Sequence, residues 1–145
     1  KMNHCIQQLF GEHDFSTFEK KGSDNKTSVC TLENAYWEQT ETGLAFTIKA
    51  NRFLRNMVRR ITAALLLVGV GKMNEQDIVN AVLNKESLEV KLAVPAKGLF
   101  LWKIEYEFNN EKKIKSPFWD LGYDNKTKRQ RLANTQTSDK AGYAI

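Results

Sequence analysis

Cysteine, histidine and proline are scarce in these 145 residues, with only two of each. Cys5 and Cys30 cannot build a disulfide framework, and they lack the paired spacing of a zinc site. Two reduced thiols are the expectation. His4 and His13 stand too far from Cys30 in the sequence to suggest a metal centre, so no metal is expected. His13 neighbours Asp14, but no serine or cysteine nucleophile is placed with them, which argues against independent hydrolase chemistry. Long apolar runs are missing as well. The longest, Ala63 to Val70, is about half a membrane span, and no signal-peptide pattern precedes it. A non-membrane, cytoplasmic protein is expected.

What the chain does have is ordinary bulk and unevenly placed charge. Its hydrophobic and charged fractions, 41% and 27%, suit a globular domain able to bury a core. The formal net charge is +5. From Asn109 to Ile145 there are eight Lys and Arg against four Asp and Glu, while residues 1–108 carry fourteen against thirteen. The division expected is therefore a domain over 1–108 and an irregular, partly disordered basic extension over 109–145.

Periodicity supplies the elements. The segment "MNHCIQQLFG" reads as a helix end stopped by Gly11. A polar, turn-rich stretch follows, anchored by Phe15 and Phe18. Thr27 to Gln39 and "LAFTIKA" form a hairpin about the turn "TETG", with Leu44, Phe46 and Ile48 on one face. A long helix is expected over Phe53 to Val70, closed by Gly69 and Gly71. A second helix covers "NEQDIVNAVLN", with Asn74 as N-cap and acids in its first turns. Past Pro95, "GLFLWKIEYEF" alternates Phe100, Trp102, Ile104, Tyr106 and Phe108 against Lys103, Glu105 and Glu107, a strand with one face in the core. A base-stacking platform is the other reading of those aromatics. The order implies an α+β fold: a largely antiparallel sheet with helices packed on one face, and an irregular basic tail.

The stretch "ANRFLRNMVRR" places four arginines against one of the most apolar segments of the chain. On a helical wheel Arg52, Arg55 and Arg59 cluster, while Leu54, Met57, Val58, Ile61, Ala64, Leu65 and Val68 lie opposite. Guanidinium forks suit phosphate or carboxylate. Three readings stay open on the residues alone: a solvated helix face, a nucleic-acid contact, or a buried carboxylate partner. The tail, with Lys112, Lys113, Lys115, Lys126, Lys128, Arg129 and Arg131 among Phe118, Trp119 and Tyr123, reads as a solvated extension, an extra grip on RNA phosphates, or a segment docked through its aromatics.

Three blocks in order, "GEHDFSTF", "FTIKANRFLRNMVRRITAALLLVGVGK" and "PAKGLFLWKIEY", resemble the C-terminal half of the bacterial tRNA pseudouridine synthase A family, over about Cys5 to Phe108. The resemblance implies an isomerase acting without cofactor on uridines 38 to 40 of the tRNA anticodon arm, with tRNA as partner and a homodimer as the working form. Arg59 matches the arginine that pairs with the family's catalytic aspartate. His13, Asp14 and Phe15 match a loop lining the cleft, and Gly98 and Leu99 a segment bordering the uracil pocket. Arg52, Arg55 and Arg60 are assigned to RNA. The family's aspartate motif, of the type "GRTDxGVH", is not present: Asp14, Asp24, Asp77, Asp120, Asp124 and Asp139 stand in other contexts. With Lys1 as first residue, the expectation is a C-terminal lobe that needs the N-terminal half of the same protein and is inactive alone. A non-catalytic RNA-binding module derived from the fold is the alternative.

Overall fold

The hairpin expected from alternation is the spine of the computed structural model, which describes residues 1–22, 24–88, 93–105 and the backbone of 140–144. Strand β2 (Val29–Thr40) turns through Glu41 and Thr42 into β3 (Gly43–Ala50), pairing antiparallel from Thr40↔Gly43 to Leu32↔Ala50. Phe46, Ile48 and Ala50 are buried on one face, opposite Trp37, Ala35 and Leu32. A bulge between Leu32 and Asn34 shifts the alternation by one, so Leu32 and Ala35 both face the core. Leu44 keeps the expected parity but lies beyond the core, 56% exposed.

Three helices cover that face. Short α1 (Met2–Gln7) buries Cys5 and Ile6. The main helix, α2 (Met57–Gly69), sinks Met57, Ile61, Ala64, Leu65 and Val68, a helical stripe. It ends as expected at Gly71, whose φ of 74° lets the Lys72 amide reach back to the Leu67 carbonyl at 2.8 Å. Helix α3 (Glu75–Leu83) follows Asn74 at the N-cap position and buries Ile78, Val79 and Val82. The α+β arrangement holds: an antiparallel sheet with helices on one side.

Several particulars differ from expectation. A strand, β1 (Gly11–Asp14), pairs with β2 where a polar loop was read; four residues at a sheet edge carry too little alternation to announce themselves. Helix α2 starts at Met57, not Phe53, because Asn56 adopts a left-handed φ of 64° behind a Leu54–Met57 turn. Arg52 and Arg55 therefore precede the helix, and the wheel does not apply to them. The aromatic face of β4 (Phe100–Glu105) is not core: Phe100 is 62% and Trp102 46% exposed. A bulge between Leu101 and Lys103 puts Leu101 and Ile104, rather than Phe100, in register with β3's core positions. Tyr106 and Phe108 lie outside the described residues.

The sheet order is β1-β2-β3-β5-β4, where β5 is Lys140–Ala144. A strand from the expected irregular extension thus lies between β3 and β4. Gly142 pairs with both Lys49 and Lys103. Lys49 Nζ reaches Glu105 Oε2 at 2.8 Å, while Lys103 Nζ reaches Oε1 at 2.5 Å. Those hydrogen bonds, Lys103's first and Lys49's second, hold the Glu105 carboxyl down at about 2. The cationic and aromatic residues assigned to the tail between 112 and 131 lie outside the described residues.

Candidate active site

The turn over residues 51–56 and the first turn of α2 hold the arginines. Asn is one of the few residues other than glycine that tolerates the left-handed region, and Asn56 uses it to end the turn and start the helix. Its side chain makes no capping bond to the helix. Instead Oδ1 accepts from Arg59 Nη1 at 3.2 Å. Arg59 Nε donates to the Val94 carbonyl at 2.7 Å, and the Val94 amide returns a bond to the Arg59 carbonyl at 3.2 Å. Two side-chain bonds, one to the Val94 backbone and one to the Asn56 side chain, therefore set the plane of a half-buried guanidinium. Its Nη2 makes no hydrogen bond among the described residues, so one edge of the fork is left for an acceptor. The same pair of bonds with Val94 ties the segment before β4 to α2. That segment closes in a 3-10 turn, Ala96–Gly98, and Leu99 packs against the core.

The loop after β1 is joined to the same place. His13 donates through Nε2 to the Phe10 carbonyl at 3.2 Å and meets the Phe15 ring edge-on at 6.1 Å. Asp14 Oδ1 accepts from the Ser16 amide at 2.9 Å, and Oδ2 lies 3.5 Å from Lys85 Nζ. The Ser16 amide, followed by Lys85, holds the Asp14 carboxyl below its usual range. Phe15 is fully buried. Beyond the 3-10 turn Ser16–Phe18, Arg60 Nη1 donates to the Glu19 carbonyl at 2.5 Å, and the Lys20 amide donates to the Arg55 carbonyl at 3.0 Å. Arg60 is thus turned inward, and its buried Nε has no hydrogen-bond partner among the described residues. Arg55 is exposed, and Arg52 Nη2 donates to Asn25 Oδ1 at 3.2 Å.

The structure therefore bonds Arg52, Arg55 and Arg60 to the loop that His13, Asp14 and Phe15 begin, while Arg59 is bonded to Asn56 and Val94. Among the described residues it connects Gly98 and Leu99 to Arg59 through Val94. Sequence reading missed Asn56 and Val94 as the residues that aim Arg59. An Asn just before a helix was the one available signal, and it normally indicates a cap. Among the described residues no group of three or more His, Cys, Asp or Glu could hold a metal ion, and no helix is long and apolar enough to cross a membrane. Burial raises both thiols, Cys5 and Cys30, to about 11, so neither supplies a thiolate near neutrality.

The family model described as tRNA pseudouridine synthase matches residues 5–107. A tRNA pseudouridine synthase A of Bacteroides fragilis is 40% identical over 107 residues, covering 73% of this chain and 42% of that protein. The proteins of the same name from Prochlorococcus marinus and Oceanobacillus iheyensis are 38% and 36% identical, over 78% and 75% of this chain and 42% and 44% of theirs. The chain thus spans about two-fifths of the length of these relatives.

Proposed function

The chain belongs to the tRNA pseudouridine synthase family, and from that premise we propose that it is the C-terminal lobe of an enzyme converting uridine to pseudouridine at positions 38 to 40 of the tRNA anticodon arm. In this reading residues 1–108 form the lobe and 109–145 an extension that returns β5 to the sheet. The N-terminal half of the same protein supplies the catalytic aspartate. Two copies act on one tRNA in the cytoplasm.

The observation that carries the reading is the clamped Arg59 with its free Nη2 edge. Conversion is an isomerisation: the ribose bond to N1 of uracil breaks, a bond to C5 forms, and the proton lost from C5 is balanced by one gained at N1, so no cofactor is consumed. The target base must first leave the stack, at a cost of a few kcal/mol. An aspartate that attacks the uridine has to stay ionised in a partly dry cleft. A guanidinium within a few ångström favours that charge, and a held one also aims the carboxylate. His13 and Asp14 shape the loop beside it, and Phe15 anchors that loop in the core. Gly98 and Leu99 border the uracil. Arg60 acts by fixing the loop, and Arg52 and Arg55 face the RNA.

Pseudouridine formation in an anticodon stem-loop RNA by the full-length protein tests this, wild type beside Arg59→Ala. Conversion by the wild type and its loss in a folded variant are expected. A folded Arg59→Ala protein with ordinary turnover removes the assignment. A wild type that binds tRNA and converts nothing points to the non-catalytic RNA-binding module.

A further inference from the structure

Cations in the described residues fall into two groups. Lys49, Lys85 and Lys103 each meet a carboxylate, on Glu33, Glu105 or Asp14. Lys1, Lys72, Lys97, Arg59 and Arg60 make no salt bridge among the described residues, and neither do Lys20, Lys21, Lys26, Arg52 and Arg55. The last five come from two segments far apart in the sequence, the loop 19–28 and the turn 51–56. Two bonds join the segments, Lys20 amide to Arg55 carbonyl and Arg52 to Asn25, and Arg60 of α2 donates to the Glu19 carbonyl beside them. Only two acids, Glu19 and Asp24, stand in the two segments against those five cations. The Glu19 carboxylate already accepts from Asn25 Nδ2 at 2.7 Å and Ser28 Oγ at 2.5 Å. The turn runs into the N-terminus of a thirteen-residue helix with no acid in its first turn, so the helix dipole adds to the same positive field.

We propose that residues 19–22 and 24–28, with turn 51–56, form a phosphate-binding surface for the RNA backbone, extending the grip beyond Arg59 to Lys20, Lys21 and Lys26. The proposal rests on the reading of this chain as a tRNA-acting lobe. RNA backbone is the occupant favoured because the exposed groups are cationic and polar: Phe18 is buried and Phe53 half-buried, leaving no exposed aromatic to stack on bases. Contacts of that kind position a nucleic acid without reading its sequence. An anionic membrane would need an apolar anchor beside the charge, and neither segment exposes one.

The test is the salt dependence of tRNA affinity for the full-length protein, comparing wild type, the triple variant Lys20→Ala/Lys21→Ala/Arg55→Ala, and Lys72→Ala at the far end of α2. Each lost phosphate contact lowers the slope of log affinity against log salt by roughly 0.7 to 0.9, so the triple variant should lose roughly 2 to 3 and Lys72→Ala nothing. An unchanged slope in the triple variant overturns the surface. So does an equal loss per charge in Lys72→Ala, which would mean diffuse attraction. Pseudouridine formation is read in parallel. A wild type that converts no uridine, with the slope still falling as expected, keeps the surface and removes the isomerase reading.

Discussion

Helices α2 and α3 begin in opposite ways. The first turn of α3 carries Glu75 and Asp77, and Glu75 also meets His4 Nδ1 of α1 at 2.5 Å. Negative charge there suits the partial positive charge of a helix N-terminus. The first turn of α2 carries no acid and instead holds Arg59 and Arg60, with Arg55 just before it and Asn56 turned to Arg59 rather than to the helix. Each such misplaced cation is worth about 0.3–1 kcal/mol against the helix at an exposed site. One end is arranged for the stability of the lobe. The other holds positive charge where stability alone would not put it, as an anion-binding role requires.

The largest test of this contrast sets Arg59→Ala against Asp77→Ala in the full-length protein. Losing one partner of a partly buried charge pair costs about 3–5 kcal/mol, equivalent to a drop in rate of about 10² to 10⁴. Arg59→Ala should show that loss in single-turnover pseudouridine formation with little change in melting temperature. Asp77→Ala should keep its rate and lose about 0.5 kcal/mol of stability. The reverse pattern would break the contrast.

Asn56 sharpens it next. Asn56→Gly keeps the left-handed backbone but removes the acceptor for Arg59, a hydrogen bond to a charged group worth about 1.5–3 kcal/mol. A fall of about 10- to 100-fold in kcat with little change in KM is expected, and Asn56→Asp, which retains an acceptor, should recover most of it. Equal rates for Gly, Asp and Asn would show that this bond does not aim the guanidinium.

Charge already satisfied on the sheet gives a smaller effect. The Glu105 carboxyl is lowered from 4.5 to about 2 by Lys103 and Lys49. A depressed carboxylate stabilises the fold above its unfolded value, and that contribution disappears as pH falls from about 4.5 toward 2. Acid titrations of wild type and Glu105→Gln should therefore converge across that window, by about 1 kcal/mol for a surface network. Parallel curves would mean that the pairing contributes nothing. Arg55→Glu should have the smallest effect: a gain of about 0.3–1 kcal/mol in thermal stability, together with weaker tRNA binding. A variant that loses stability would show that Arg55 is held there for structural reasons.

The hairpin, α3 and the body of α2 were legible because each presents a periodic apolar face, and a period survives in one dimension. The start of α2 was not. Phe53 and Leu54 extend its apolar pattern backward, and only the backbone of Asn56 interrupts it. Strand β1 was hidden by its polar residues and its place at the sheet edge. Phe100 and Trp102 misled for a related reason. Alternation identifies a strand with two unlike faces but not which face is covered, and a bulge shifted the parity. Of the site, the family blocks pointed to Arg59 and its neighbours, while Asn56 and Val94 could be recognised only from their bonds to it.

By itself the sequence determined the family and the elements with a clear apolar period. Those rest on residue types and spacings that require no knowledge of distant neighbours. Tertiary structure alone decided that the segment carrying Lys20, Lys21 and Lys26 is bonded to the turn carrying Arg52 and Arg55, that Val94 holds Arg59, and that β5 enters between β3 and β4. Each of these depends on contacts between segments remote in the chain. Nothing in a local run of residues records which distant backbone carbonyl or sheet edge will be there to receive it.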